Sequence, residues 1–120
     1  VQRILLCTGK IYYDLAAARK ERGLSNVAIL RVEQLYPMAE EVLYTALAPY
    51  RHDAPVYWVQ EEPENMGAWR RMRGKFGDKL IGRPPLKGVC RPASASPATG
   101  SHNSHKQEQQ KLIDEALGGL

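Results

Sequence analysis

The stretch Gln60-Glu61-Glu62-Pro63-Glu64-Asn65-Met66-Gly67-Ala68-Trp69 gathers carboxylates, amides and turn residues into one short run. Two adjacent glutamates cost electrostatic energy unless a cation or a proton stands beside them. Glu61 and Glu62 therefore read either as a solvated pair, the usual fate of charged side chains, or as groups facing a positive partner. A second set lies in Arg91-Pro92-Ala93-Ser94-Ala95-Ser96-Pro97-Ala98-Thr99-Gly100-Ser101-His102. There Arg91, Ser94, Ser96 and His102 offer donors that could wrap a phosphate, and the arginine could clamp a carboxylate of another domain. The same hydroxyls could equally bond their own backbone in an extended surface segment. Thr8-Gly9-Lys10 is a third candidate, because free N–H groups at a helix start attract anions. It lacks the spacing of a nucleotide P-loop or a dinucleotide fingerprint, and a plain tight turn accounts for the glycine more simply. His102 and His105 form an H-x-x-H pair without further clustered ligands, which favours capping or interface packing over a metal. No Ser-His-Asp or Cys-His-Asp set can be assembled from local motifs.

The elements that must position these residues follow from pattern. Arg3-Ile4-Leu5-Leu6-Cys7 reads as a strand, and apolar residues at 11, 12, 15, 16 and 18 give the following helix, with Gly23 as its cap. Val27 to Val32 is a second strand, and Glu33 to Met38 a loop in which Pro37 bars helix. A helix from Ala39 to Leu47 carries Glu40 and Glu41 in its first turn, as the dipole prefers. Val56-Tyr57-Trp58-Val59 reads as a strand buried on both faces, Gln60 to Glu62 as an acidic loop, and Ala68 to Phe76 as a basic helix. Leu86 to Cys90 is a weaker strand because Gly88 lowers its propensity. A last helix from about Ser104 to Leu117 buries Leu112, Ile113, Ala116 and Leu117. Strands alternating with helices predict an α/β domain of three layers, a mostly parallel sheet flanked by helices on both faces. The crest at the carboxyl ends of its strands is where such sheets place function.

A chain of 120 residues fits a single domain, residues 1–120, and 43% hydrophobic with 25% charged residues is the mix of a soluble globular one. No apolar run reaches the roughly 20 residues that span a bilayer, so no membrane partner is expected. The net charge of +4 is modest. Its positives cluster at Arg70, Arg71, Arg73 and Lys75, without the aromatic interleaving of an RNA-binding sheet or a helix-turn-helix pattern. No nucleic acid is expected, and the cluster reads as a solvated face or a surface meeting an acidic neighbouring domain. Cys7 and Cys90 read as free thiols in a reducing compartment. The start at Val1, directly in a strand, reads as a piece of something longer.

Together the motifs around Leu5 to Leu15, Ala28 to Pro37, Trp58 to Trp69, Gly82-Arg83 and Arg91 to His102 resemble the carboxyl-terminal domain of the 2-oxoglutarate dehydrogenase E1 component, in order and over almost the whole chain. The resemblance implies a transketolase-like fold and a parent enzyme of three parts working as a dimer. That parent would decarboxylate 2-oxoglutarate with thiamine diphosphate and Mg2+ and pass the succinyl group to the lipoyl arm of an E2 succinyltransferase. In the family the cofactor and catalytic histidines lie in the preceding domains, so no catalytic residue and no cofactor is carried over here. The expected partners are the preceding E1 domains, the second E1 subunit and the E2 lipoyl domain. Glu61, Glu62, Asn65 and Trp69 would hold the loop facing those domains, and Arg91, Ser94, Ser96, His102 and His105 a second contact strip. Thr8, Gly9, Lys10 and Arg91 remain an alternative anion site. The expected location is the cytoplasm of a bacterium or the mitochondrial matrix of a eukaryote. A stand-alone nucleotide- or protein-binding module and an E1 acting on 2-oxoadipate are the competing readings.

Overall fold

The computed structural model describes residues 1–32, 40–77, 80, 82–92 and 102–120, with backbone alone for 102–104. Strands β1 (Arg3–Cys7), β2 (Val27–Arg31), β3 (Val56–Pro63) and β4 (Lys87–Arg91) alternate with helices α1 (Ile11–Glu21), α2 (Glu40–Leu47), α3 (Trp69–Phe76) and α4 (His102–Leu117). The sheet order is β2-β1-β3-β4 and every pairing is parallel. The α/β architecture expected from the alternating pattern is the one observed.

Alternation along β1 explains the two cores, because successive side chains point to opposite faces of a strand. Ile4 and Leu6 join Trp58, Leu43 and Leu47 of α2, and Met72 and Phe76 of α3 on one face. Leu5 and Cys7 join Ile11 and Leu15 of α1, Val89, and Leu112 and Ala116 of α4 on the other. The apolar set predicted for α4 is buried throughout, with Ala116 and Leu117 at 1% and 2% exposure.

The helix ends are closed by specific groups. Gly23 has φ 64°; its N–H donates to Lys20 O, and that of Leu24 to Arg19 O. This paired closure needs the left-handed residue that glycine supplies. Arg83 donates from its guanidinium to the carbonyls of Leu47, Tyr50 and Arg51, just where α2 runs out of intrahelical partners. Arg3 Nη1 does the same for Ala116 O of α4, at 2.8 Å.

The main correction concerns the acidic run. Gln60, Glu61 and Glu62 are not a loop but the second half of β3, which continues to Pro63. A polar run reads as loop only while its groups are taken to face water. Here Gln60 is 3% exposed, and β3 pairs with β4 again at Pro63 and Arg91 after a register irregularity following Val59. Helix α4 begins at His102 rather than Ser104, an ordinary shift for a helix start. The predicted loop from Glu33 to Met38, and Ser94 and Ser96 of the contact strip, lie outside the described residues.

Candidate functional site

The strand order reverses between β1 and β3, since the chain steps outward from β1 to β2 and then crosses back to β3. Open parallel sheets hold ligands in the crevice outside the carboxyl ends at such a reversal. Here the crevice is bordered by Thr8-Gly9-Lys10 after β1, Asp14 on the first turn of α1, and Glu61 on β3. It is bridged by a side chain of α4. Gln109 of α4 donates from Nε2 to Asp14 Oδ2 at 3.0 Å and to Glu61 Oε1 at 2.9 Å.

The other end of that amide ties in β4. Arg91 Nη2 donates to Gln109 Oε1 at 2.8 Å, and Nη1 to Glu108 Oε2 at 3.0 Å and His105 Nδ1 at 3.3 Å. Guanidinium nitrogens only donate, so the imidazole nitrogen facing Arg91 can bond it only as an acceptor. The Arg91 side chain is 10% exposed, which makes this a largely desolvated arginine held by a carboxylate, an amide and an imidazole. One network thus joins α1, β3, β4 and α4 at the crest. The same Asp14, His105 and Gln109 border an open groove of about 680 Å3 between α1 and α4, together with Glu21, Arg22 and Lys106. Arg22 there bonds Asp114, holding that exposed carboxyl below its usual range.

The turn from β3 into α3 is built around Gln60. Its Oε1 accepts the Trp58 indole N–H and the Trp69 backbone N–H, each at 2.9 Å. Its Nε2 donates to the carbonyls of Met66 at 2.7 Å, Pro63 at 3.0 Å and Glu62 at 3.3 Å. A buried amide normally needs its donors and acceptor matched, and Gln60 meets that requirement while fixing both ends of the turn. Gly67 has φ 67°, and a Cβ there would lie 3.1 Å from Gln60 Oε1. Only glycine serves at that corner. Trp69, only 8% exposed, anchors the turn from inside, while Glu62, Asn65 and Met66 face outward.

The thiols are chemically quiet. Cys7 is buried, and burial pushes its pKa up to about 11 against a smaller opposing pull from Arg31. Cys90 rises to about 12 through burial, then through the carboxylates of Glu64, Glu115 and Glu62. Reactivity follows the thiolate fraction. Native Cys90 is therefore expected to alkylate at pH 8 about a thousandfold more slowly than in the unfolded chain, followed by mass spectrometry of iodoacetamide adducts. Equal rates would refute the burial account. Linkage gives the stability trend. Both folded pKa values lie above the reference value of 9.0, so the unfolded chain sheds these protons first. Their contribution is whole below about pH 9 and falls as pH rises toward 11 and 12.

Of the residues singled out in the sequence, Glu61, Arg91 and His105 converge. Thr8, Gly9 and Lys10 form a turn whose carbonyls at Gly9 and Lys10 start α1 by accepting the N–H groups of Tyr12 and Tyr13. Arg91 is engaged internally, so its guanidinium is not held open as a phosphate clamp. The side chain of His102 lies outside the described residues. Sequence reasoning passed over Asp14, Glu108 and Gln109, and it placed Gln60 in a loop. A signal for Gln109 was present, since it stands three and four residues before Leu112 and Ile113 on the buried side of α4. Among the described residues no group of three His, Cys, Asp or Glu side chains is placed to hold a metal ion. No described helix is long and apolar enough to cross a membrane.

Comparison with known proteins supplies the family. Residues 1–117 match the family described as 2-oxoglutarate dehydrogenase C-terminal. The chain is 44% identical to the 2-oxoglutarate dehydrogenase E1 component of Haemophilus influenzae over 98% of its length and 12% of that protein. It is 43% identical to the protein of that name from Rickettsia felis, over 98% of this chain and 12% of the relative. Against that of Azotobacter vinelandii it is 42% identical, over 98% and 13%. The chain thus spans about an eighth of the length of the relatives it matches, and it belongs to the 2-oxoglutarate dehydrogenase C-terminal family.

Proposed function

We propose that these residues are the carboxyl-terminal domain of a longer E1 chain and brace it without performing chemistry. The parent would decarboxylate 2-oxoglutarate with thiamine diphosphate and hand the succinyl group to a lipoyl-bearing E2 partner, working as a dimer. It would do so in the bacterial cytoplasm or the mitochondrial matrix. The observation that carries the reading is the bridged crest: Gln109 ties Asp14 to Glu61 at the place where a parallel sheet would receive a ligand. An arginine fixed by Glu108 and Gln109 on a neighbouring helix is a structural tie. The suppressed thiols supply no nucleophile.

What remains available is surface. Glu62, Asn65 and Met66 project from a turn held rigid by Gln60, which suits a fixed contact with a neighbouring domain. Titration calorimetry of the 120-residue chain with thiamine diphosphate and Mg2+ is expected to give no saturable heat. Saturable binding would overturn the division of labour.

A further inference from the structure

Helix α3 departs from local helix rules on its outward side. Arg70 and Arg71 stand in its first turn, with no acidic residue there, although cations are disfavoured at the positive end of the helix dipole. No side chain caps its start at Ala68. Gly74 sits in its interior, where glycine weakens a helix relative to alanine by a factor of about four. Gly74 is exposed, and a Cβ built on it would meet nothing within 4 Å. No contact within the described residues calls for glycine there.

The inward side is ordinary: Trp69, Met72 and Phe76 are buried in the core. The departures are therefore confined to one face, where Gly74 follows Arg70 by four residues and Lys75 follows Arg71 by four. Among the described residues no ion pair engages Arg70, Arg73 or Lys75. Local rules broken together at Arg70 and Gly74, with no compensation among the described residues, mark a place shaped by function. A glycine lets a neighbouring backbone come closer than any side chain would allow. Cations around such a close contact call for carboxylates opposite them.

We propose that the outer face of α3, centred on Arg70, Gly74 and Lys75, docks an acidic segment of the parent chain lying outside these 120 residues. This rests on the reading that the chain is part of a longer E1 polypeptide, as relatives about eight times its length support. Nucleic acid, the other polyanion, is disfavoured because no aromatic side chain stands on this face to stack a base.

Carbodiimide coupling of the intact parent protein, followed by peptide mapping, tests the claim. Lys75 is the only amine on α3 and is expected to join an Asp or Glu outside residues 1–120, with the yield falling several-fold in high salt. Gly74→Ala is expected to cut that yield about fivefold, since its methyl group holds the surfaces apart, while circular dichroism shows the fold intact. Arg70→Gln is expected to lower it in the same way. Coupling of Lys75 only within residues 1–120, no coupling, or a yield indifferent to Gly74→Ala would overturn the proposal. The mass of the native protein separates the two levels. A natural chain ending at these borders defeats the parent reading itself, whereas a longer chain that Lys75 never reaches defeats only the docking surface.

Discussion

Replacing Gln60 with leucine is expected to remove about 3–5 kcal/mol of stability, the largest loss of any single polar substitution at the crest. Leucine fills nearly the same space, so the loss is one of hydrogen bonding. The Trp58 indole N–H and the Trp69 backbone N–H would both be left buried without an acceptor, at about 1–3 kcal/mol each. The carbonyls of Pro63 and Met66 would lose their donor as well. Denaturant unfolding reads this as a lower midpoint at unchanged slope. Gln60→Glu sharpens the test. A carboxylate can still accept from the two tryptophans but faces carbonyl oxygens it cannot donate to, and only its protonated form can give one of them a hydrogen. That variant should therefore recover stability as the pH falls, because its folded-state pKa is raised. Glu62→Gln, at an exposed position, should change stability by no more than about 0.5 kcal/mol. If Gln60→Leu costs under about 1 kcal/mol, the turn is not organised by this amide.

Gln60 also shows where reading a sequence stops. The sheet, its parallel sense and the buried face of α4 follow from periodicity, and residues such as Ile4, Leu112 and Ala116 stand where their spacing puts them. Periodicity works there because the apolar residues settle the question without reference to distant partners. Gln60 is different. Its identity marks it as polar and hence as loop, and only the convergence of Trp58, Pro63, Met66 and Trp69 makes its burial favourable. The crest network is hidden in the same way. Asp14, Glu61, Arg91 and Gln109 come from four elements far apart in the chain, and no local spacing announces that they meet. Resemblance to a family reached the right domain by another route, through whole motifs rather than through the contacts that give those motifs their purpose.

Gly88 carries the second large effect, and its reason was likewise invisible in the sequence, where it reads only as a weak point in a strand. A Cβ at position 88 would lie 2.5, 2.7 and 2.8 Å from the Cε2, Cζ2 and Cδ2 atoms of Trp69. Such distances are far inside van der Waals contact, so the indole must shift. It has little room, because the Trp69 backbone N–H is tied to Gln60 and Gly88 is itself paired across the sheet with Trp58. Gly88→Ala is therefore expected to cost about 1–3 kcal/mol by overpacking, with the emission of Trp69 moving to the red as its ring is pushed toward water. Trp69→Leu alone should cost about 3 kcal/mol by leaving a cavity. In the double variant the alanine methyl enters the space the indole vacated, so Gly88→Ala should then cost nothing or restore part of the loss, a coupling of about 1–3 kcal/mol. Strict additivity would show that the two residues do not press on one another. Trp69 is the first residue of α3, so displacing its ring also moves the turn above it. A single methyl group on β4 should thereby disturb the outward-facing Glu62 and Asn65, linking the packing of the sheet to the surface it presents.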